Sequence, residues 1–129
     1  MHLVRGSFVA LYVDMALSEF ETKRVEKAVL TFFERRRPPP HVRHELDIGY
    51  RITGQSLELF EIRPRWNNPQ ERMERPFAKA TFVKTTDTWK VFWRRADLKW
   101  HGYEPASQVD SVEQFLTVVD EDKYACFFG

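Results

Sequence analysis

Hydrophobic positions change their period twice along this chain, and those changes mark out its elements. Val25, Ala28, Val29, Phe32 and Phe33 recur at i, i+3, i+4, i+7 and i+8, one face of a helix. Ser18 and Glu21 form a capping box ahead of them, and Arg35, Arg36 and Arg37 put cations at the negative end of the macrodipole. Pro38-Pro39-Pro40 cannot continue a helix, so the spacing predicts one over residues 18–36. The segment Phe8–Met15 before it fits either an extension of that helix or a separate strand.

Beyond the prolines the period falls to two. Leu46, Ile48, Tyr50 and Ile52 alternate with Asp47, Gly49, Arg51 and Thr53, the mark of a half-buried strand. Gly54-Gln55 supplies a two-residue turn with glycine first, as a type II′ hairpin requires, and Leu57 to Arg63 returns antiparallel. That turn sets Ile52 opposite Leu57, Arg51 opposite Glu58 and Tyr50 opposite Leu59. Apolar pairs then share one face and an opposite-charge pair the other. Pro64 to Pro76, P-R-W-N-N-P-Q-E-R-M-E-R-P, is polar and punctuated by proline, and reads as a loop of about a dozen residues.

Phe77–Thr85 and Thr88–Arg95 form a second hairpin around Thr86-Asp87. It places Ala80, Phe82, Trp89, Val91 and Trp93 on one face and Lys79, Thr81, Lys90, Phe92 and Arg94 on the other. A turn at Ala96–Lys99 leads to a short fifth strand, Trp100–Glu104, in which Trp100 reads as core. Ser111-Val112-Glu113-Gln114 is a second capping box, opening a helix of about three turns with Val112, Phe115, Leu116 and Val119 on one side. The tail Tyr124-Ala125-Cys126-Phe127-Phe128 is apolar enough to dock on the core. Helix, strands, then helix is an α+β order rather than βαβ alternation. The expected fold is an antiparallel four- to five-stranded meander sheet packed on the long N-terminal helix. The short C-terminal helix and apolar tail would close an edge or an end.

Composition narrows the class. At 129 residues and 43% hydrophobic the chain has the size and content of one domain with a real core. Leu3-Val4-Arg5-Gly6-Ser7 resembles a protease-site remnant without its proline, so residues 1–7 read as a tag remnant and the domain as 8–129. A single cysteine, Cys126, excludes an internal disulfide and a cysteine-built zinc site and fits a cytoplasmic protein. No apolar run is long enough to span a bilayer, and no membrane partner is expected. The net charge of +1 hides an asymmetry. Residues 106–129 set Lys123 against Asp110, Glu113, Asp120, Glu121 and Asp122, a balance of −4, which leaves +5 for the rest.

No glycine-rich phosphate loop, G-x-S-x-G elbow or H-E-x-x-H is present. Asp47 with Glu58 and Glu61-Ile62-Arg63 suggests a metal-dependent nuclease. Yet arginine cannot give up a proton as lysine does, and Asp47 falls opposite Ile62, facing away from Glu61. His41, His44 and His101 lack further spaced ligands, so neither a metal nor a cofactor is expected. The favoured site is a basic-aromatic rim: Arg63, Arg65 and Trp66 beside the long loop, Lys99, Trp100 and His101 beside the later turn, where Arg94 and Arg95 also lie. Cations hold phosphates and tryptophan stacks on bases, which gives a non-catalytic binding module for nucleic acid or another anionic partner. Pairing with Glu58, Glu61 and Asp97 works against it by absorbing charge. The rival readings are a protein-interaction or homodimer module, using the Trp100–Glu104 edge or a patch at Phe92, and the metal-dependent hydrolase.

R-P-P-P-H-V-R (37–43), G-Y-R-I-T-G-Q-S-L-E-L-F-E-I-R-P-R-W (49–66), A-K-A-T-F-V-K (78–84), V-F-W-R-R-A-D-L-K-W-H-G-Y-E-P (91–105) and the closing C-F-F-G together resemble a bacterial family catalogued only as a domain of unknown function. The resemblance covers nearly all of the chain beyond the first helix. It implies a small intracellular bacterial protein and assigns no catalytic residue, cofactor or partner.

Overall fold

The computed structural model describes residues 16–128, so the expectations for residues 1–7 and for Phe8–Met15 fall outside it. Helix α1 (Glu19–Arg36) starts where the pattern places it. The Ser18 hydroxyl accepts from the Glu21 amide, and the Glu21 carboxylate accepts from the Ser18 amide. It ends at Arg37, held in an extended conformation (ψ 131°), because the residue before a proline is disfavoured in the helical region.

Six strands follow. They are β1 (Asp47–Thr53), β2 (Ser56–Arg65), β3 (Asn68–Val83), β4 (Thr88–Arg94), β5 (Trp100–Gly102) and β6 (Gln108–Val109). The first five form an antiparallel meander in chain order, and β6 pairs with β4. β5 takes Phe92–Arg94 and β6 takes Trp89–Lys90, so they share the outer edge of β4 in succession. Two residues carry no period of their own, which is why β6 is invisible in the sequence. The fifth strand is shorter than expected, because Glu104–Ala106 turns into a 3-10 helix led by Pro105.

The first hairpin has the register its turn dictates: Ile52 opposite Leu57, Arg51 opposite Glu58, Tyr50 opposite Leu59. Gly54 has φ 59°, the left-handed value a II′ turn needs at its first central position. The second hairpin closes through four residues rather than two, pairing Val83 with Thr88. That moves the pairing by two, and a shift of two leaves every side chain on its expected face.

The expected loop over Pro64–Pro76 is not a loop. β2 runs on to Arg65 and β3 begins at Asn68, joined by the two-residue turn Trp66-Asn67. The prolines misled, because they usually mark loops, yet they are tolerated on edge strands and at bulges. Pro76 sits beside such a bulge. The register passes from Leu59 opposite Ala78 to Phe60 opposite Pro76, leaving Phe77 as the extra residue. Beyond it β2 and β3 are increasingly on their own.

One sheet face carries Leu57, Leu59, Ala78, Ala80, Phe82, Trp89 and Val91, all buried. Against them lie Val25, Val29 and Phe32 of α1 and Val112, Phe115, Leu116 and Val119 of α2 (Val112–Glu121). The short helix therefore does not plug an edge. It lies beside α1 on the same face, over β3, β4 and β6, because five of its ten residues are apolar and need a core, four of them buried there. Arg24 reaches Glu113 (3.2 Å) and Arg36 reaches Asp120 (2.6 Å), tying the helices together. The tail docks as expected. Asp122 ends α2 with φ 41°, and its carboxylate accepts the amides of Phe127 (3.0 Å) and Phe128 (2.9 Å). Phe127 then stacks on Tyr103 and Phe128 on Phe77.

The other sheet face shows Arg51, Glu58, Lys79, Thr81, Lys90, Phe92 and Arg94. Phe60 belongs here too, yet is only 6% exposed, because its ring lies under the Arg51 guanidinium (4.3 Å) and over Gly49. A Cβ at Gly49 would stand 2.7 Å from the Phe60 ring. Gly49→Ala should therefore displace that ring and lower unfolding free energy by about 1–3 kcal/mol, as overpacking does. Gly102→Ala, where nothing lies within 4 Å, is the control and should stay within about 0.5 kcal/mol of wild type. Urea denaturation of the two variants distinguishes them, and equal losses would contradict this packing.

Candidate anion-binding site

Past the bulge, β2 and β3 become a two-stranded arm. β1 stops pairing at Ile62 and β4 at Ala78, so Arg63–Arg65 pair only with Met73, Arg72 and Asn68, and a second register shift leaves Pro69, Gln70 and Glu71 without a partner strand. At the arm's root, between it and the β4–β5 turn, lies an open hollow of about 730 Å³. Strand alternation supplies one wall. Glu61 faces Arg75 and Arg63 faces Met73 across the ribbon, and all four line the hollow. Arg94, Arg95 and Leu98 supply the other wall, with Phe77, Phe127 and Phe128 bringing aromatic surface from the core.

Four arginines line this space, Arg94 with its guanidinium over Trp100 on the open face, and little acid answers them. Arg63 is near its neighbour Glu61, at a long 3.4 Å. The carboxylate of Glu74 is taken by Arg51. Among the described residues, Arg75, Arg94 and Arg95 have no carboxylate within ion-pair distance. Arg94 lies over the Trp100 ring (5.7 Å) and Arg95 over the Trp93 ring (5.4 Å), which orients them without neutralising them. Guanidinium stays charged and presents a planar fork of donors suited to phosphate or carboxylate. Cys126 also borders the hollow. Burial first and then Asp122 push its thiol up, so it stays a neutral thiol at neutral pH.

The expected rim residues fall into three places. Arg63 lies in the hollow. Arg65 and Trp66 sit at the far end of the arm, Arg65 paired with Glu71 at 3.1 Å and Trp66 93% exposed. Lys99, Trp100 and His101 lie at the β4–β5 turn, where Lys99 is exposed. Trp100 pairs opposite Arg94 and His101 opposite Trp93, so the two rings face opposite sides of the sheet. Trp100 is therefore not core. It is half-buried on the open face, where Lys79 lies 5.0 Å from its ring and 4.9 Å from that of Phe92. Burial pushes the Lys79 ammonium down, while Glu58 and the two ring faces favour its charge. His101 Nε2 lies 2.8 Å from Asp97. The backbone N–H of Lys99, followed by His101, holds that carboxyl below its usual range. Arg75 lies in the segment that reads as loop, and even a regular strand from the Trp66-Asn67 turn would set Arg72 opposite Glu61; only the register shift after Pro64 brings Arg75 there.

The acids named for a hydrolase do not meet. Asp47 pairs opposite Ile62 and Ile48 opposite Glu61, which puts the two carboxylates on opposite faces. Asp47 instead accepts from Arg37 Nε and Nη2 (3.0 Å each), and Glu58 lies 3.5 Å from Arg51. Among the described residues, no three His, Cys, Asp or Glu side chains gather so as to hold a metal.

Residues 17–129 match the family described as Domain of unknown function (DUF3024). The chain belongs to that family. No curated protein and no solved structure matches it. No helix of this DUF3024 chain, among the described residues, is long and apolar enough to cross a membrane.

The Arg37 grip on Asp47, helped by the Ile48 amide, holds that carboxyl below the usual carboxylate range. Its folded value being depressed, the stabilisation is present above the ordinary carboxylate pKa and lost as pH falls through the lower folded value. Asp47→Asn should cost about 1 kcal/mol at pH 7, modest because Arg37 is partly exposed. That difference should shrink as urea titrations move into the acid range. A gap constant with pH would remove the ion pair as its cause.

Proposed function

We propose that this DUF3024 protein is a non-catalytic binding module that holds nucleic acid through phosphate contacts in the arginine hollow. The observation that carries the reading is the trio Arg75, Arg94 and Arg95, brought to one open hollow without carboxylate partners among the described residues. Arginine does not give up its proton, and Glu61 lies beside Arg63, so these groups suit holding an anion better than moving a proton. A nucleic acid offers repeated phosphates together with base faces, and half-buried Phe92 and Trp100 border Arg94 on the open sheet face. The acidic C-terminal region does not compete for the site. Glu113 and Asp120 are bound by Arg24, Arg35 and Arg36 along the helices. We infer a cytoplasmic location from the lone Cys126, which suits a reducing compartment.

With a net charge of only +1, binding has to come from this local cluster, and it should be strongly dependent on salt. Fluorescence anisotropy with short labelled DNA and RNA at low salt tests it. Three or four phosphates held should give a slope of log K against log salt of about −2 to −4. Arg75→Glu and Arg94→Glu should each weaken binding about tenfold or more. Arg24→Glu, which reverses a cation of the helical face, should leave it nearly unchanged. Absence of binding to any nucleic acid, or equal losses in all three variants, would remove the reading.

A further inference from the structure

We infer that the β2–β3 arm selects single-stranded nucleic acid by stacking the Trp66 indole on an unpaired base. The inference rests on the nucleic-acid reading above and adds to it the strand state of the ligand and the residue that reads it.

The four tryptophans are not equivalent. Trp89 is buried in the core, at 6% exposure. Trp93 packs against that core and Arg95 covers its ring, while Trp100 lies among Lys79 and Arg94. Trp66 is 93% exposed and takes part in no ring stack or cation–π contact among the described residues. Its ring is thus open to a ligand.

The arm also fixes where that ring is. Trp66 occupies a two-residue turn closed by Arg65 opposite Asn68; behind it the register shifts by three residues, past Pro69-Gln70-Glu71, before the ladder resumes at Pro64 opposite Arg72 and runs on to Glu61 opposite Arg75. Arg72 anchors the far strand to the body, donating to the His44 carbonyl at 2.9 Å. Three residues of strand separate Trp66 from Arg63, roughly 10 Å. A base stacked at the tip therefore leaves the phosphates of neighbouring nucleotides free to lie along the arm towards the arginines at its root.

Charge and cost favour a single strand over a duplex. A wedge driven into a duplex must first unstack base pairs, a cost that proteins of this kind offset with a large basic surface on the bent DNA. This chain has a net charge of +1, and the arginines of its helical face, Arg24, Arg35 and Arg36, are taken by Glu113 and Asp120. An unpaired base needs no such opening, and every base has a face to stack, so selection should be for strand state rather than sequence.

The test measures affinity of the full chain for a labelled oligothymidylate and for a duplex of the same length, in wild type, Trp66→Ala, Trp66→Phe and Arg94→Glu. Trp66 is exposed, so its variants should keep the wild-type circular dichroism and melting curve. Wild type should prefer the single strand. Trp66→Ala should lose about tenfold on it, equivalent to about 1.4 kcal/mol, and change little on the duplex, while Trp66→Phe keeps most of the affinity. Arg94→Glu should weaken both ligands. Loss with Arg94→Glu but none with Trp66→Ala would overturn the stacking inference and leave the hollow standing. No binding by wild type would overturn both. Failure to bind nucleic acid, together with a dimer in sedimentation that Trp66→Ala dissociates, would reassign the arm to self-association.

Discussion

Burial of a single face of the sheet under two helices is the constraint from which the other features of this protein follow. Leu57, Leu59, Ala78, Ala80 and Val91 are each at or below 1% exposure, and no other surface of the sheet is covered in this way by α1 or α2. Phe32 and Phe115, from the two helices, are fully buried in the same cluster as Ala78 and Ala80. At about 1.5–3 kcal/mol for each large apolar side chain removed from water, this layer outweighs any of the surface ion pairs around it. It also decides which charges meet solvent on a flat sheet and where the helical cover stops.

The cover stops at the bulge. Ala78 is the last β3 residue paired on both sides, and Phe77 is the residue the β2 register passes over, its ring against Phe128. From there β3 loses β4, and past Ile62 β2 loses β1, so the ribbon beyond has no third strand. A two-stranded ribbon has two edges, which is compatible with Pro64, Pro69 and Pro76 in its strands. The hollow exists because the arm and the β4–β5 turn leave the same end of the sheet. In that turn Leu98 adopts φ 62°, a costly conformation for a bulky side chain, and it lines the hollow.

The chain's positive excess is not a free reserve. Arg24, Arg35 and Arg36 meet the acidic C-terminal region, Arg37 meets Asp47, and Arg51 is shared by Glu58 and Glu74. Exposed pairs of this kind contribute only about 0–1 kcal/mol each. Their larger effect is to decide which cations are left without a carboxylate, and Arg75, Arg94 and Arg95 are three of these that line one hollow. Charge counted along the sequence locates the imbalance between the two parts of the chain but not the cluster.

Local rules made much of the fold legible. The capping box at Ser18, the Pro38 stop, the Gly54 turn and the period-two strands each act over a few neighbouring residues, so the elements, faces and first register could be read directly. The α+β order and the docked tail followed from the same patterns. Longer-range decisions could not be read this way. Whether Pro64–Pro76 hangs as a loop or zips into an arm depends on cross-strand partners such as Arg63 with Met73. Whether Trp100 is core depends on its pairing with Arg94 across a turn whose length fixes the face. The sequence by itself determined which side chains alternate and where helices begin and end. Only the tertiary structure decided that Arg75 stands with Arg94 and Arg95, because they come from different strands and only the sheet's pairing sets them at one end.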